Sequence, residues 1–249
     1  MDRGVWITWY DLPDGERDTH LAWLHETYLP ALAKRPGILW AAHYAAAPKT
    51  ARRASAREGS LTRTSDPSVP TGNQYILMAG AGHAHVFGNP SPAELHAALP
   101  ERDRKMLGQR TGERANIMVE AGRVDGPVAK LSAQPMAPAP CIQLGSFNIE
   151  PAHEEEVLAW YTQWRMPAME RTPGCVRFRA FASVAGWAKH AVMYEFVSLA
   201  ARNEHFVVHE DAHPDKKAVS DRMVSYLTHA PGSATVAERT WPPIPRDEG

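Results

Sequence analysis

Short runs of apolar and β-branched residues alternate along the chain with stretches in which apolar residues return every three or four positions. Val5–Tyr10 (VWITWY) has the β-branched and aromatic content of a strand. Leu21, Leu24, Tyr28 and Leu32 then fall on one face of a helix. Strand-like runs follow at Ile38–Tyr44 and Gln74–Gly80, a helical stretch at Ser91–Leu107, and a further strand at Ala115–Gly122. The same order then starts again. Ile142–Phe147 reads as a strand, and Leu158, Tyr161, Arg165 and Met169 share one face of a helix. Strands are predicted at Cys175–Phe181 and His190–Val197, a helix over Leu199–Tyr226, and a last strand at Ala234–Thr240.

The repetition extends to individual letters. LAWLHETYLPALAKRPG (Leu21–Gly37) returns 137 residues later as LAWYTQWRMPAMERTPG (Leu158–Gly174), with seven of seventeen positions identical. Each copy carries an internal proline, Pro30 or Pro167, which removes a backbone hydrogen bond and predicts a kink. Each ends on Pro-Gly, a helix stop and turn. Each half thus reads β-α-β-β-α-β, the split βαβ pattern of the ferredoxin-like fold. The chain divides into a first unit (1–126) with a long insertion at 48–73, a Pro/Ala-rich linker (127–140) and a second unit (141–249). The insertion has only a short hairpin turn, Ser183–Lys189, as its counterpart, and loops of that length serve as lids or interface elements.

Composition narrows the function classes. A net charge of −1 over 249 residues argues against bulk attraction to nucleic acid or an anionic membrane surface. Arg52, Arg53, Arg57 and Arg63 form a local basic cluster that reads as a solvated loop. Two cysteines, Cys141 and Cys175, provide neither a disulfide framework nor a four-ligand zinc site and read as buried thiols. No secretory pattern opens the sequence and no apolar run reaches the ~20 residues of a membrane span, so a cytoplasmic location is expected. Gly80–Gly88 (GAGHAHVFG) lacks the spacing of a dinucleotide fingerprint, and neither a phosphate-binding P-loop nor a Gly-x-Ser-x-Gly elbow occurs.

A β-α-β-β-α-β unit whose Pro-kinked first helix ends in Pro-Gly resembles the dimeric α+β barrel superfamily. That superfamily includes antibiotic-biosynthesis monooxygenases, ethyl tert-butyl ether degradation type proteins and haem-using relatives. The run MYEFVSLAARNEHFVVHEDAHP (Met193–Pro214) is similar to its third strand, Glu and second helix. The resemblance implies an α+β fold in which two tandem ferredoxin-like repeats form an intramolecular barrel. It also implies a small-molecule pocket between each sheet and its own helices. A homodimer is allowed but not required.

Around that pocket the first half offers Trp9, Tyr10, His25, Tyr28, His43, Tyr44 and Tyr75, an aromatic lining suited to a flat apolar ligand. His25 and His43 are the candidate general bases, with Tyr28 beside them. At the 137-residue shift His25 becomes Thr162, Tyr28 becomes Arg165, His43 becomes Ala180 and Trp9 becomes Ser146. The second half instead offers Trp164, Arg165, Arg177, Arg179, His190 and Tyr194, whose arginines could grip a carboxylate or enolate oxygen. His205, His209 and His213 recur every four residues, and His205 or His209 is a weak candidate haem ligand on an otherwise hydrophilic helix face. His83 and His85 lie in a glycine-flanked loop. Three readings follow: a cofactor-independent monooxygenase, isomerase or lyase acting on an aromatic or polyketide-like substrate by His-assisted proton abstraction; a haem-binding barrel; and a non-catalytic ligand-binding barrel.

Overall fold

The computed structural model describes residues 1–54, 58–129, 138–206 and 214–244. Eight strands run in the order β7-β6-β4-β1-β3-β2-β9-β5, and a further pairing of β5 with β7 closes the ring. They are β1 (Gly4–Asp11), β2 (Ile38–Ala46), β3 (Tyr75–Ala81), β4 (Thr111–Asp125), β5 (Cys141–Ile149), β6 (Cys175–Ala185), β7 (His190–Phe196) and β9 (Thr235–Trp241). A short β8 (Leu227–His229) pairs outside the ring with β5, setting Phe147 opposite His229. All ring pairings are antiparallel. The first four strands lie in the order β4-β1-β3-β2, and the ring strands of the second half take the matching order β9-β5-β7-β6. The halves join through β2 with β9 and β4 with β6, so one chain completes the barrel without a second copy.

Both repeated stretches fold alike. Helix α1 (Arg17–Trp23) passes into a π-helical turn, Leu24–Tyr28, and then into α2 (Leu29–Ala33). In the second half α5 (Glu154–Trp160) passes through the π turn Tyr161–Arg165 into α6 (Met166–Met169). The Leu29 N–H reaches five residues back to the Leu24 carbonyl, as Met166 does to Tyr161. The prolines sit one residue later, where the widened turn absorbs the bond they cannot make. Gly37 (φ 85°) and Gly174 (φ 71°) end both helices in the left-handed region, which explains the repeated Pro-Gly. The second helical layer differs between halves. The first has α3 (Pro92–Ala97), opened by a capping box from Ser91 and Glu94, and α4 (Glu101–Leu107). The second has α7 (Leu199–Ala201), a π turn Arg202–Phe206, and α8 (Pro214–Ser225).

Strand alternation divides the core. Val5, Ile7, Trp9, Ala42, Tyr44, Ile76, Met78, Ile142, Leu144, Phe181 and Met193 fill the barrel interior. Trp6, Tyr10, Tyr75 and Leu77 face α1, its π turn and α2 instead, and Phe147, Phe178, Val192 and Tyr194 face the second-half helices. At one end of the interior Arg179 binds Asp2 (3.0 Å) and Glu120 (2.6 Å), and Arg123 binds the same two carboxylates. These charges are buried but mutually paired and hydrogen-bonded, the condition under which buried ions are tolerated. Cys141 and Cys175 are buried free thiols. Among the described residues no helix is long and apolar enough to cross a membrane.

Candidate functional site

In the first half the space between sheet and helices is filled by side chains. β2 turns His43 toward the helices, where it is 0% exposed. His43 Nε2 lies 2.9 Å from Tyr10 Oη, and its Nδ1 lies 3.0 Å from His25 Nε2 and 2.7 Å from Thr240 Oγ1 on β9. Tyr75 stacks on His43 and on Tyr10. Tyr28 Oη meets His96 Nε2 of α3 at 2.8 Å, and His20 Nδ1 meets Gln109 at 3.3 Å. The Arg110 guanidinium covers the Tyr10 ring at 4.3 Å. Burial, aided by that guanidinium, pushes His20 and His96 down to about 4 and holds His43 well below the ordinary histidine range. Burial likewise pushes Tyr28 up to about 12 and raises Tyr10. His25, half-buried, is lowered by burial too. The cluster is therefore neutral in its histidines and phenols at neutral pH.

The sequence placed seven residues around one first-half space, and the structure brings five of them together: Tyr10, His25, Tyr28, His43 and Tyr75. Trp9 and Tyr44 point the other way. Each is one residue out of phase with that set, and strand alternation sends them into the barrel interior. There Arg114 covers Trp9 at 4.7 Å, and Tyr44 donates to the Ala139 carbonyl at 3.0 Å.

The second half holds an open cavity of about 80 Å³ at the corresponding place, several times the ~10–15 Å³ that one water needs. Phe147, Trp160, Tyr161, Val192 and Tyr194 supply aromatic and apolar wall, and Arg165, Arg202, Gln143 and His229 supply polar groups. Arg165 lies over Trp160, Tyr194 and Phe206 at 5.2–5.5 Å and donates to Tyr194 Oη at 3.3 Å. Arg202 donates to Gln143 at 2.7 and 3.0 Å. Of the second-half candidates, Arg165 and Tyr194 line this cavity. Trp164 is 45% exposed, on the outer side of its π turn. Arg179 lies on the interior face of β6, in the Asp2–Glu120 network, where the alternation of β6 turns it away from the helices.

The first-half insertion reaches across to this second-half cavity. Arg52, Glu58 and Leu61 belong to its wall. The Asn203 side chain donates to the Ala51 carbonyl and accepts from the Arg53 N–H, both at 3.0 Å, while Arg202 donates to the Arg53 carbonyl at 2.6 Å. Thr64 and Thr62 make backbone hydrogen bonds with both sides of His229. Arg52 pairs with Glu58, whose carboxyl is held below its ordinary range by that hydrogen bond. The solvated basic loop expected here is thus corrected for Arg52, which is half-buried in the wall of the second-half cavity. Arg57 lies outside the described residues.

Of the three histidines read on the last helix, His205 alone falls among the described residues. His205 is on the π turn beside Glu204 (3.8 Å), about a third exposed, and outside the cavity wall. His209 and His213 lie outside the described residues. Among the described residues no three His, Cys, Asp or Glu side chains group to hold a metal. The cavity, at about 80 Å³, is well below the ~300 Å³ at which pockets for larger ligands begin. Several wall residues carried no sequence signal. Arg52, Glu58 and His229 meet only through the insertion's path over the second half, and Arg202 falls in a helix read for its histidines.

No protein-family profile matches the sequence, and no curated protein does either. Solved structures do. An anthrone oxidase-like protein superposes with a TM-score of 0.58 at 10% identity, covering 96% of this chain and 91% of that one. A candidate monooxygenase from Lactobacillus acidophilus NCFM gives 0.53 at 9% identity over 96% and 94%. The chain has the dimeric α+β barrel fold. A candidate chlorite dismutase shares it at a TM-score of 0.50 and 11% identity, over 96% and 95% of the two chains. Within this barrel the two helix–sheet spaces are unlike: one is packed with histidine and tyrosine, the other is hollow, aromatic and cationic.

Proposed function

We propose that this barrel, a tandem pair of ferredoxin-like repeats, is a small-molecule enzyme of monooxygenase, isomerase or lyase type whose substrate occupies the second-half cavity. The observation that carries the reading is the cavity itself, hollow and aromatic where the matching first-half space is solid. Fold likeness to an anthrone oxidase-like protein and to candidate monooxygenases supports the same class. The step common to the three reaction types is removal of a proton next to a carbonyl or phenol. The electron pair moves onto the substrate oxygen, where Arg165 and Arg202 offset the developing charge. Among the described wall residues Glu58, ionised beside Arg52, is the carboxylate that can take the proton. His25, His43 and Tyr28, the catalytic set read from the sequence, act in this reading as packing and hydrogen-bonding groups of the first half.

Filling the cavity tests the proposal. Val192→Phe places a ring in the hollow, and saturable binding of nitrobenzene, a small planar probe, should be lost while the fold survives. Unchanged nitrobenzene binding in Val192→Phe would remove the cavity as the site. A Soret band on adding haem to the purified protein would overturn cofactor independence.

A further inference from the structure

The hollow of the second half continues beyond the inner cavity. Beside that cavity lies an outer cleft of about 570 Å³, open to solvent, and Arg52, Glu58, Ala234 and Val236 line both. These four residues form a neck between the two volumes. Ala234 and Val236, at the entry to β9, supply one side of it. Arg52 and Glu58 of the insertion supply the other, joined by two hydrogen bonds, of which Arg52 Nη1 to Glu58 Oε2 measures 2.6 Å. Their side chains are 14% and 30% exposed, so this side of the neck is a near-surface ion pair. Side-chain rotation is fast and local compared with movement of a strand, and can open such a neck with the barrel at rest.

The two volumes differ in chemistry. Phe147, Trp160 and Tyr161 give the inner cavity flat apolar faces, which favour a planar body. The outer cleft is walled by Lys49 and Arg63, both exposed and within reach of a ligand. Arg63 donates through Nε to the Ser233 carbonyl at 3.1 Å, and among the described residues neither it nor Lys49 joins an ion pair. Glu58 is engaged by Arg52, so the cleft carries an excess of positive charge. Size points the same way. The inner cavity, at about 80 Å³, holds a small head group, and with the cleft the site reaches the ~300–1,000 Å³ of ordinary small-molecule pockets. We infer that both volumes take one ligand, with a flat apolar head in the inner cavity and a chain through the neck to an anionic group on Lys49 and Arg63. The substrate class is then an aromatic acid with a flexible tail, which rests on the inner cavity being the ligand site and extends what that site selects. Glu58, at the neck, stands where head joins tail.

Phenylalkanoates with chains of roughly two to six carbons, their neutral amides, and nitrobenzene as a head-only probe separate the claims by titration calorimetry. At low salt at least one chain length should bind the wild type about fivefold more tightly as the acid than as the amide. The double variant Lys49→Gln, Arg63→Gln should lose that preference. Its nitrobenzene affinity should stay within about twofold of wild type, which also reports an intact fold. Val192→Phe should weaken acid and amide alike by about tenfold or more, because the head has lost its place. An acid preference that survives the double variant, or acid binding untouched by Val192→Phe, overturns the two-part ligand. Nitrobenzene binding with no acid preference at any chain length overturns this inference alone. Binding of none of the probes overturns the cavity reading and this inference with it.

Discussion

The spaces under the first helix of the two halves are opposites. In the first half His43 fills it from β2, reaching Tyr10, His25 and Thr240. In the second the corresponding residues are Ala180, Phe147 and Thr162, which place no imidazole at these three positions. Tyr28, hydrogen-bonded to His96, has become Arg165, stacked among aromatics at the cavity wall. Truncating one buried ring on the strand and placing a cation on the helix turns a core into a pocket. The difference teaches that histidine and tyrosine, the residue types richest in chemistry, mark the more solid of the two spaces.

Acid should separate the halves most. His20, His43 and His96 are all held below the ordinary range in the first half, against His229 in the described part of the second. An unfolded histidine titrates near 6.5, so the unfolded chain takes up protons that the folded form refuses. Stability is therefore full above about pH 6.5 and falls as the pH drops toward about 4. Urea midpoints should fall by the equivalent of a few kcal/mol between pH 7 and pH 5, with amide exchange accelerating first around β2, α1 and α4. Equal midpoints at the two pH values would refute the neutral-cluster description.

His43→Ala comes next. It opens a void and strands the Tyr10 hydroxyl, and should cost roughly 2–4 kcal/mol in denaturant unfolding. A variant of full stability that has lost turnover would instead restore the first half as the reactive site. Tyr28→Phe removes one hydrogen bond to His96 and should cost about 1 kcal/mol, with nitrobenzene binding in the other half unchanged. The smallest effect on stability is expected from Arg52→Ala. Its pair with Glu58 lies near the surface and contributes less than about 1 kcal/mol, yet the cavity should release nitrobenzene faster, as stopped-flow dissociation would show.

Much of the fold was legible because it depends on local periodicity. The eight ring strands, the two kinked helices and the Pro-Gly stops lie where apolar spacing and turn residues put them. The strand order followed from the β-α-β-β-α-β pattern. The candidate site was legible only in part. His25, Tyr28, His43, Tyr10 and Tyr75 do meet, but Trp9 and Tyr44, adjacent to Tyr10 and His43 in the chain, face the barrel interior. A list of aromatic residues hides that parity, whereas the strand pleat enforces it. His229 and Glu58 sit in one wall only because the insertion leaves its own half.

The sequence by itself determined the likeness of Leu21–Gly37 to Leu158–Gly174, the strands and helices along the chain and the positions at which the two stretches differ, since these are properties of neighbours along the chain. Only the tertiary structure decided which helix–sheet space is hollow and that an insertion from one half lines the cavity of the other. Those outcomes depend on volume and on hydrogen-bond partners more than a hundred residues apart, and no periodicity along the chain encodes them.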